Sequence, residues 1–214
     1  MSARFDPALM PAAPDLSFEQ GLWAAGVSRV GGIDEAGRGP LAGPVAAAVV
    51  ILPAEPSVQV RLAGVRDSKQ MTPAQRQAAC ARIQQVALGQ AVGFAEAAEI
   101  DALGIAPATR LAAWRALQAL DVEPQHLLLD YLFLPDVEIP QTALIKGDCR
   151  SLSIAAASVL AKVARDARML ALDAQYPGYG FARHKGYGTA GHRAALQALG
   201  PCPQHRKSFG QSSG

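Results

Sequence analysis

Short apolar runs between glycine- and proline-marked turns divide the chain into candidate strands. Residues 30–34 form one such run, and residues 44–52 form a continuous apolar run bounded by prolines. An unbroken apolar run of this length is typical of a strand that is buried on both faces of a sheet. The same reasoning predicts three further strands, at residues 90–97, 126–134 and 142–146.

Three segments carry helical signals. Thr72 is a favourable N-cap and Pro73 suits the first helical position, so a helix is predicted to begin there. Apolar residues recur at helical spacing in residues 109–120, and residues 151–171 form a long alanine-rich stretch that predicts a helix. The order, strands first and then alternating helices and strands, predicts an α/β sheet of mixed direction with helices packed against it.

The length of 214 residues favours one domain with a substantial buried core. Three prolines within the first fifteen residues predict a flexible arm, and the final sequence GQSSG predicts a flexible tail. We therefore assign residues 1–17 to an arm, residues 18–209 to one folded domain and residues 210–214 to a tail.

Charge and cysteine positions exclude several classes of protein. The net charge of +2 is compatible with a polyanionic partner without specifying one. Cys80, Cys149 and Cys202 lie far apart, so neither a disulfide framework nor a zinc site is predicted. The N-terminus lacks an apolar signal core, and the apolar stretch at residues 41–52 is too short to span a membrane. We expect a reduced, cytoplasmic protein without a membrane partner.

Four acidic residues stand where strands end or a helix begins: Asp34, Glu35, Asp130 and Asp148. Side chains at such strand ends can converge on one crevice, where several carboxylates repel one another unless a cation is bound. Oxygen ligands without a nearby Cys or His favour Mg²⁺ or Mn²⁺, and two such ions about 3.5–4 Å apart catalyse phosphoryl transfer. A single Asp at a strand end is more often a cap or a solvated turn residue. The prediction therefore rests on the adjacent pair and the Gly-Arg-Gly turn that follows it.

The segment GIDEAGRGPLAGPV (32–45) resembles the signature of type 2 ribonuclease H, the bacterial ribonuclease HII family. The similarity continues in order through five further blocks, which are DSKQMT (67–72), LLLD (127–130), IKGDCRSLSIAAASVLAKVARD (145–166), HKGYGT (184–189) and HRKSF (205–209). The resemblance implies a ribonuclease H-like catalytic domain, a mixed sheet flanked by helices with a helical C-terminal segment.

The resemblance also implies an activity and its cofactor. The implied reaction is two-metal-ion cleavage of RNA strands in RNA–DNA hybrids and of the bond on the 5′ side of single ribonucleotides in duplex DNA. The implied products carry 3′-hydroxyl and 5′-phosphate ends. The metal-binding and catalytic carboxylates carry over to Asp34, Glu35, Asp130 and Asp148, with Mg²⁺ or Mn²⁺ as cofactor. Nothing in the sequence demands more than a monomer.

Two segments are candidates for recognition of the ribonucleotide. Gly37 and Gly39 let the main chain approach a ligand closely, and in the family this loop contacts the ribonucleotide while Arg38 serves the phosphates. Tyr187 lies between glycines, so its ring can rest on a sugar and its hydroxyl can bond a 2′-OH. A plain tight turn and a half-buried surface tyrosine are the ordinary alternatives, and the resemblance favours recognition.

Basic residues near these blocks are weaker candidates, because most exposed Lys and Arg are only solvated. The candidates for phosphate or DNA contact are Lys69, His184, Lys185, Arg206 and Lys207, with Lys146 and Lys162 as similar cases. The four histidines lack a metal-binding spacing, and His126, His192 and His205 are expected to be structural. Asp166 is expected to form an ion pair with a nearby arginine rather than to bind metal.

Two departures from the family pattern concern geometry. Tyr131 follows Asp130 where the family commonly has glycine, and Cys149 stands where a small residue such as alanine is common. Neither replaces a catalytic group. Two rival functions stay open: a DNA resolvase or integrase-type nuclease of the same fold, and a non-catalytic nucleic-acid binding module.

Overall fold

A five-stranded sheet forms the centre of the molecule, in a computed structural model that describes residues 10–209. The strands are β1 (Val30–Ala36), β2 (Val45–Ile51), β3 (Gly89–Ala95), β4 (His126–Asp130) and β5 (Gln141–Leu144). Their order is β3-β2-β1-β4-β5. β2 is antiparallel to both β1 and β3, whereas β1, β4 and β5 run parallel. The predicted sheet of mixed direction is confirmed.

Eight α-helices surround this sheet in the described part of the chain. They are α1 (Ser17–Ala24), α2 (Val58–Arg61), α3 (Pro73–Val86), α4 (Ala97–Leu103), α5 (Ile105–Gln118), α6 (Leu152–Gln175), α7 (Phe181–His184) and α8 (Ala190–Leu199). Short 3₁₀ turns lie at Ser68–Gln70, Gly147–Cys149 and Lys207–Phe209. Within residues 10–209, none of the helices has the length and apolar character needed to cross a membrane.

All five predicted strands and three predicted helices are present, with shifted ends. The Thr72 hydroxyl accepts a hydrogen bond from the Gln75 N–H, and Gln75 Oε1 accepts one from the Thr72 N–H, so a capping box starts α3. The predicted strand at 126–134 ends at Asp130, because Tyr131 adopts a left-handed backbone conformation with φ +56° that stops the extended chain.

The packed domain begins before the predicted boundary at residue 18. Leu16 is buried, and the Leu152 N–H donates to the Asp15 carbonyl at 2.8 Å. Glu19 in α1 is fully buried and accepts hydrogen bonds from Ser151 and Ser153 at the start of α6. Predictions for residues 1–9 of the arm and for the tail at 210–214 lie outside the described residues.

Helices cover both faces of the sheet and explain its continuous apolar strands. Ala48 and Val50 of β2 face one core, built with α3 and α6. Val49 faces the other core, built with α5 and Ile33 of β1. Because β2 is covered on both sides, its sequence shows no alternation of polar and apolar residues.

The N-terminus of α6 lies directly on β1 at Gly32. A Cβ atom at Gly32 would lie 2.2 Å from the Ser153 carbonyl carbon and 2.4 Å from the Ile154 nitrogen. Both neighbours are main-chain atoms that cannot rotate away. Glycine is therefore required here, and the close approach brings the turn before α6 against the end of β1.

We predict that Gly32→Ala lowers the melting temperature, because the new methyl group forces α6 away from β1. Overpacking of this kind costs roughly 1–3 kcal/mol, and each kcal/mol shifts the melting temperature of a chain this size by about 2–4 °C. Gly21→Ala in α1 is the matched control, since a Cβ there meets nothing within 4 Å. Equal melting temperatures for the two variants, measured by circular dichroism, would contradict the close packing at Gly32.

Candidate active site

Three of the predicted carboxylates meet at one edge of the sheet. Oxygen atoms of Asp34, Asp130 and Asp148 lie within 4.8 Å of one another. Asp34 lies near the end of β1, Asp130 ends the parallel neighbour β4, and Asp148 lies in the turn that precedes α6. The parallel pairing of β1 with β4 and the close packing of α6 on β1 therefore bring the three carboxylates together.

Main-chain hydrogen bonds fix the direction of two of these carboxylates. The Glu35 N–H donates to Asp34 Oδ1 at 2.7 Å. The Gly147 N–H donates to Asp130 Oδ1 at 2.7 Å, which ties β4 to the turn that carries Asp148. Each carboxylate keeps further lone pairs for another ligand.

Crowding and burial shift the pKa values of all three carboxyl groups upward. Burial raises the pKa of Asp34 well above its ordinary value, with further increases from Glu35 and Asp130. Burial and Asp148 together raise the pKa of Asp130 to about 6. The pKa of Asp148 is raised by burial and by Asp67. Like charges this close favour protonation unless a cation neutralises them.

Glu35 lies beside the three-carboxylate cluster and faces the following loop. Its Oε1 accepts a hydrogen bond from Arg38 at 3.1 Å. Its Oε2 is buried and accepts no hydrogen bond from the described protein. Burial raises the pKa of Glu35, and Arg38 partly offsets this shift. An unpaired buried carboxylate oxygen next to an all-oxygen cluster suits a hard divalent cation such as Mg²⁺ or Mn²⁺.

Asp67 is a neighbour of the cluster that the sequence analysis missed. Ligand atoms of Asp67, Asp148 and Cys149 lie within 4.8 Å of one another. Asp67 is part of the block DSKQMT, but an isolated Asp in a polar turn is common and gives no distinct sequence signal. Asp67 also caps the turn, accepting a hydrogen bond from the Lys69 N–H at 3.0 Å.

Lys69 lies at the rim of the carboxylate cluster. Its Nζ is 3.8 Å from Asp148 Oδ2 and 4.0 Å from Asp67 Oδ1, and its side chain is 76% exposed. Burial lowers the pKa of Lys69, but Asp67, Asp34 and Asp148 outweigh that effect and raise it. A charged, exposed ammonium at this position is available to a phosphate.

The two departures from the family pattern leave the cluster intact. Tyr131 is 76% exposed, so its ring lies at the surface, and its positive φ explains why glycine suits this position. Burial, with a contribution from Asp148, raises the pKa of the Cys149 thiol to about 11. Cys149 therefore stands as a neutral thiol beside Asp148.

The Gly37–Gly39 loop rests on two buried arginines. Gly37 has φ +94°, and a Cβ there would lie 1.9 Å from Arg165 Nε. Arg165 is fully buried and donates to the carbonyls of Pro44 at 2.8 Å and Ala42 at 3.2 Å. By contrast, a Cβ at Gly39 meets nothing within 4 Å, so packing does not require glycine there.

Arg206 lies behind this loop, and its predicted contact with phosphate is wrong. The side chain is 2% exposed and donates to three carbonyls, those of Gly37 at 2.6 Å, Arg38 at 2.9 Å and Gly43 at 2.9 Å. Burial, together with the nearby charge of Arg165, lowers its pKa to about 9. The basic block in the sequence could not show that main-chain carbonyls would occupy this guanidinium.

Arg206 determines which way the loop's N–H groups point. In a trans peptide the carbonyl and the following N–H lie on opposite sides of the chain, and the described chain has no cis peptide bond. Since the carbonyls of Gly37 and Arg38 point at Arg206, the N–H groups of Arg38 and Gly39 point the opposite way. The loop thus directs two donors away from the interior.

Tyr187 lies next to the same loop. The Leu41 N–H donates to the Gly186 carbonyl at 2.8 Å, which joins the two segments. Burial lowers the pKa of Arg165 and of Arg206, and Tyr187 partly offsets both shifts. Tyr187 is 46% exposed, so the structure brings an accessible phenol to the Gly37–Gly39 loop.

His184 and Lys185, both half-buried, form hydrogen bonds within their own loop, and their predicted contact with DNA stays a prediction. His184 Nδ1 accepts from the Gly186 N–H at 3.2 Å, and its Nε2 pairs with the Tyr179 carbonyl at 2.8 Å. The Lys185 ammonium donates to the Ala182 carbonyl. Both side chains therefore stabilise the loop that carries Tyr187.

The remaining basic candidates lie outside the cluster. Lys162 pairs with Asp166 at 2.7 Å, and Arg76 lies 3.7 Å from the same carboxylate, which confirms the structural ion pair predicted for Asp166. Lys207 is exposed, and its N–H donates to Asp101 at 2.9 Å. Lys146 has φ +54° at the start of the turn that carries Asp148.

Relief of the carboxylate repulsion gives a stability prediction. The raised pKa values mean that the folded, metal-free chain binds more protons than the unfolded chain. The extra protons add to the free energy of unfolding at pH values below the ordinary carboxyl pKa of about 4. This contribution is lost as the pH rises through the folded-state pKa of each group, which for Asp130 is about 6. We predict that Asp34→Asn melts above the wild type in EDTA at about pH 7, and that the difference shrinks at about pH 4.5.

The same variant should lose most of the stabilisation that Mg²⁺ or Mn²⁺ gives the wild type, because it removes one ligand. Asp121→Asn is the control, since Asp121 is exposed and precedes β4 at the end opposite Asp130. The metal site is misassigned if Asp34→Asn gains as much melting temperature from the metal as the wild type does.

Comparison with known proteins points to one family. Residues 31–212 match the family model described as Ribonuclease HII. The chain is 57% identical to Ribonuclease HII of Synechococcus sp. over 196 residues, 92% of this chain and 88% of that protein. The crystal structure of ribonuclease H2 from Pyrococcus horikoshii matches with a TM-score of 0.68 and 27% identity, over 85% of this chain and 94% of that one.

A second structural match supports the same fold. Bst-RNase HIII, solved in complex with Mn²⁺, has the same fold with a TM-score of 0.59 and 19% identity, over 79% of this chain and 70% of that chain. The family uses divalent metals, and the acidic cluster of this chain is able to bind them. The carboxylate cluster, the length of the match and the level of identity lead to one conclusion: the chain belongs to the ribonuclease HII family, the hydrolytic endonucleases of ribonuclease H type.

Proposed function

We propose that this endonuclease cuts the RNA strand of RNA–DNA hybrids and the 5′ side of single ribonucleotides embedded in duplex DNA. The proposal rests on the position of the Gly37–Gly39 loop between the carboxylates and the segment that carries Tyr187. The Leu41 N–H, two residues after Gly39, donates to the carbonyl of Gly186, which precedes the exposed Tyr187. The N–H groups of Arg38 and Gly39 point outward, and their loop follows Asp34 and Glu35 closely in the chain. A group that recognises a sugar thus lies beside groups that cut the adjoining bond.

The carboxylates hold the metal. In this proposal Asp34, Asp130 and Asp148 supply the shared oxygen ligands, and Glu35 adds its unpaired Oε2. Mg²⁺ or Mn²⁺ held by these oxygens would supply Lewis-acid chemistry, which would favour attack by water and offset the charge of the leaving 3′ oxygen. The hydrogen bonds from the Glu35 and Gly147 N–H groups keep two carboxylates oriented while the ligand set forms.

The 2′-hydroxyl is the feature that distinguishes a ribonucleotide from its neighbours, and it both donates and accepts hydrogen bonds. The main-chain N–H groups of the loop donate to it, and the Tyr187 hydroxyl completes the site while its ring rests on the adjoining sugar. Deoxyribose would leave these groups without a partner, so a site of this kind rejects DNA strongly.

Two rival functions make different predictions. A resolvase or integrase-type nuclease would use the same carboxylates but gives no role to the recognition loop and Tyr187, so it should cut all-DNA substrates. A non-catalytic binding module would not retain a complete set of four carboxylates around one crevice. Family membership and the intact cluster support the hydrolytic enzyme.

The decisive experiment uses a duplex that carries one ribonucleotide, with the matching all-DNA duplex as a control. We expect cleavage on the 5′ side of the ribonucleotide that requires Mg²⁺ or Mn²⁺ and is lost in Asp130→Asn. Cleavage of the all-DNA duplex at a similar rate would favour the resolvase. Metal-dependent binding without cleavage would favour the binding module.

Tyr187 gives a quantitative prediction. Tyr187→Phe removes only the hydroxyl and should cost about 1–3 kcal/mol in kcat/KM on the single-ribonucleotide duplex, the range for an unsatisfied buried partner. Tyr187→Ala should cost more, since the ring contact is lost as well. Both variants should keep the melting temperature and its increase with Mn²⁺. If Tyr187→Ala cuts as well as the wild type, Tyr187 does not recognise the sugar.

Lys69 should act on phosphate rather than on the sugar. We expect Lys69→Ala to weaken binding of hybrid and all-DNA duplexes by similar factors and to reduce the salt dependence of binding by about one ion. Arg61→Ala, an exposed arginine in α2, is the control. A loss confined to ribonucleotide-containing duplex, measured by fluorescence anisotropy, would instead place Lys69 in the recognition site.

A further inference from the structure

Two buried histidines lie beneath the loop that carries Tyr187. His192 of α8 is fully buried and His205 is 5% exposed. Their Nε2 atoms are 3.1 Å apart, and His192 Nδ1 is 3.0 Å from the Tyr187 carbonyl oxygen. The ring of His184 stacks on His192 with centroids 4.3 Å apart. A chain of hydrogen bonds thus links the C-terminal segment to the main chain of Tyr187.

The first link fixes the tautomer of His205. The Cys202 N–H donates to His205 Nδ1 at 3.0 Å, and a backbone N–H can act only as a donor. The Cys202 carbonyl oxygen also lies 3.3 Å from Nδ1, but this contact is longer, and that oxygen already accepts from the His205 N–H at 3.0 Å. The shorter bond from the Cys202 N–H leaves Nδ1 without a proton, and the Cys202 thiol at 3.2 Å faces the same nitrogen. A neutral ring with an unprotonated Nδ1 has its proton on Nε2.

The second and third links follow from the first. Since His205 Nε2 carries the proton, it donates to His192 Nε2, which must be unprotonated. His192 then carries its proton on Nδ1 and donates it to the Tyr187 carbonyl. The two rings hold opposite tautomers, and each hydrogen bond of the chain needs the one before it.

Both rings must stay neutral for this chain to exist. A proton added to His192 Nε2 would place two N–H groups face to face across 3.1 Å. Burial lowers the pKa of both rings, His184 lowers both further, and His192 also lowers the pKa of His205. The other side chains that face the pair are the rings of Tyr179 and Phe181 and the Cys202 thiol.

The hydrogen bond from His192 connects the Tyr187 main chain to helix α8, outside the loop that carries Tyr187. The Tyr187 main chain also bonds the His184 carbonyl and the Thr189 N–H, but both partners are within three residues and move with the loop. The loop is unusual, since Lys185 has φ +53° and Gly186 has φ +82°. His205, in turn, pairs with Ala42 of the chain that follows the Gly37–Gly39 loop.

We infer that His192, oriented by His205, is a positioning residue that sets Tyr187 against the Gly37–Gly39 loop and thereby sharpens discrimination between ribose and deoxyribose. The inference rests on the function proposed above. His192 does not touch the substrate. It acts on Tyr187, and its effect should vanish when Tyr187 no longer contributes.

A double-mutant cycle tests this dependence. In the full-length chain with Mg²⁺, His192→Leu should lower kcat/KM on the single-ribonucleotide duplex by about 10-fold, the scale of one lost hydrogen bond. In a Tyr187→Ala background the same substitution should have almost no further effect. His192→Asn should recover much of the loss, because its amide nitrogen can reproduce the Nδ1 donor. The same fold-loss in both backgrounds would mean that His192 only stabilises the fold and would overturn the inference.

A spectroscopic measurement covers the case in which His192→Leu does not fold. Nitrogen-15 NMR of the wild-type chain at about pH 7 should show His192 protonated on Nδ1 and His205 protonated on Nε2. The same tautomer on both rings, or a charged ring, would overturn the inference. If the wild type itself fails to prefer the ribonucleotide duplex over all-DNA, the proposed function fails, and that result is independent of the tautomers.

Discussion

The site depends on carboxylates that the fold forces together at one edge of the sheet. Parallel pairing of β1 and β4 sets Asp34 beside Asp130, and the seat of α6 on Gly32 brings Asp148 to both. Burial and mutual repulsion raise their pKa values, so this edge is less stable when the groups are ionised and no metal is bound. A bound divalent cation would stabilise this edge, because its charge would offset the repulsion between carboxylates that already lie close together.

The proposed recognition of ribose depends on a different constraint, the direction of main-chain groups. Gly37 and Gly39 have no side chains that could contact a sugar. The proposed specificity of this loop therefore lies in the direction of its N–H groups. Arg206 fixes that direction by drawing the carbonyls inward. Arg165 supports the same segment through Ala42 and Pro44. In the described chain neither guanidinium pairs with a carboxylate, so their positive charge remains behind a loop proposed to contact a polyanion.

The sequence predicted the elements that depend on local patterns. The apolar run of β2 and the cap at Thr72 are properties of neighbouring residues, and both were confirmed. The carboxylates were predicted because their positions coincide with strand ends and with a known family signature. By contrast, α1 was missed, because it is held by Glu19 bonding to α6, more than a hundred residues away. Such a contact leaves no periodic signal.

Arg206 and Asp67 show the same limit within the site. An arginine in a basic block and an aspartate in a polar turn resemble ordinary surface residues until their distant partners are known. Arg206 meets three carbonyls more than 160 residues earlier in the chain, and Asp67 meets Asp148. A sequence pattern gives the chemical type of a side chain, whereas the partner decides whether an arginine binds a phosphate or supports a loop. Consequently, the proposed recognition site depends on the C-terminal segment, whereas the carboxylate cluster depends on the sheet edge. A displaced C-terminal segment would therefore impair the proposed recognition of ribose while leaving the carboxylate cluster assembled.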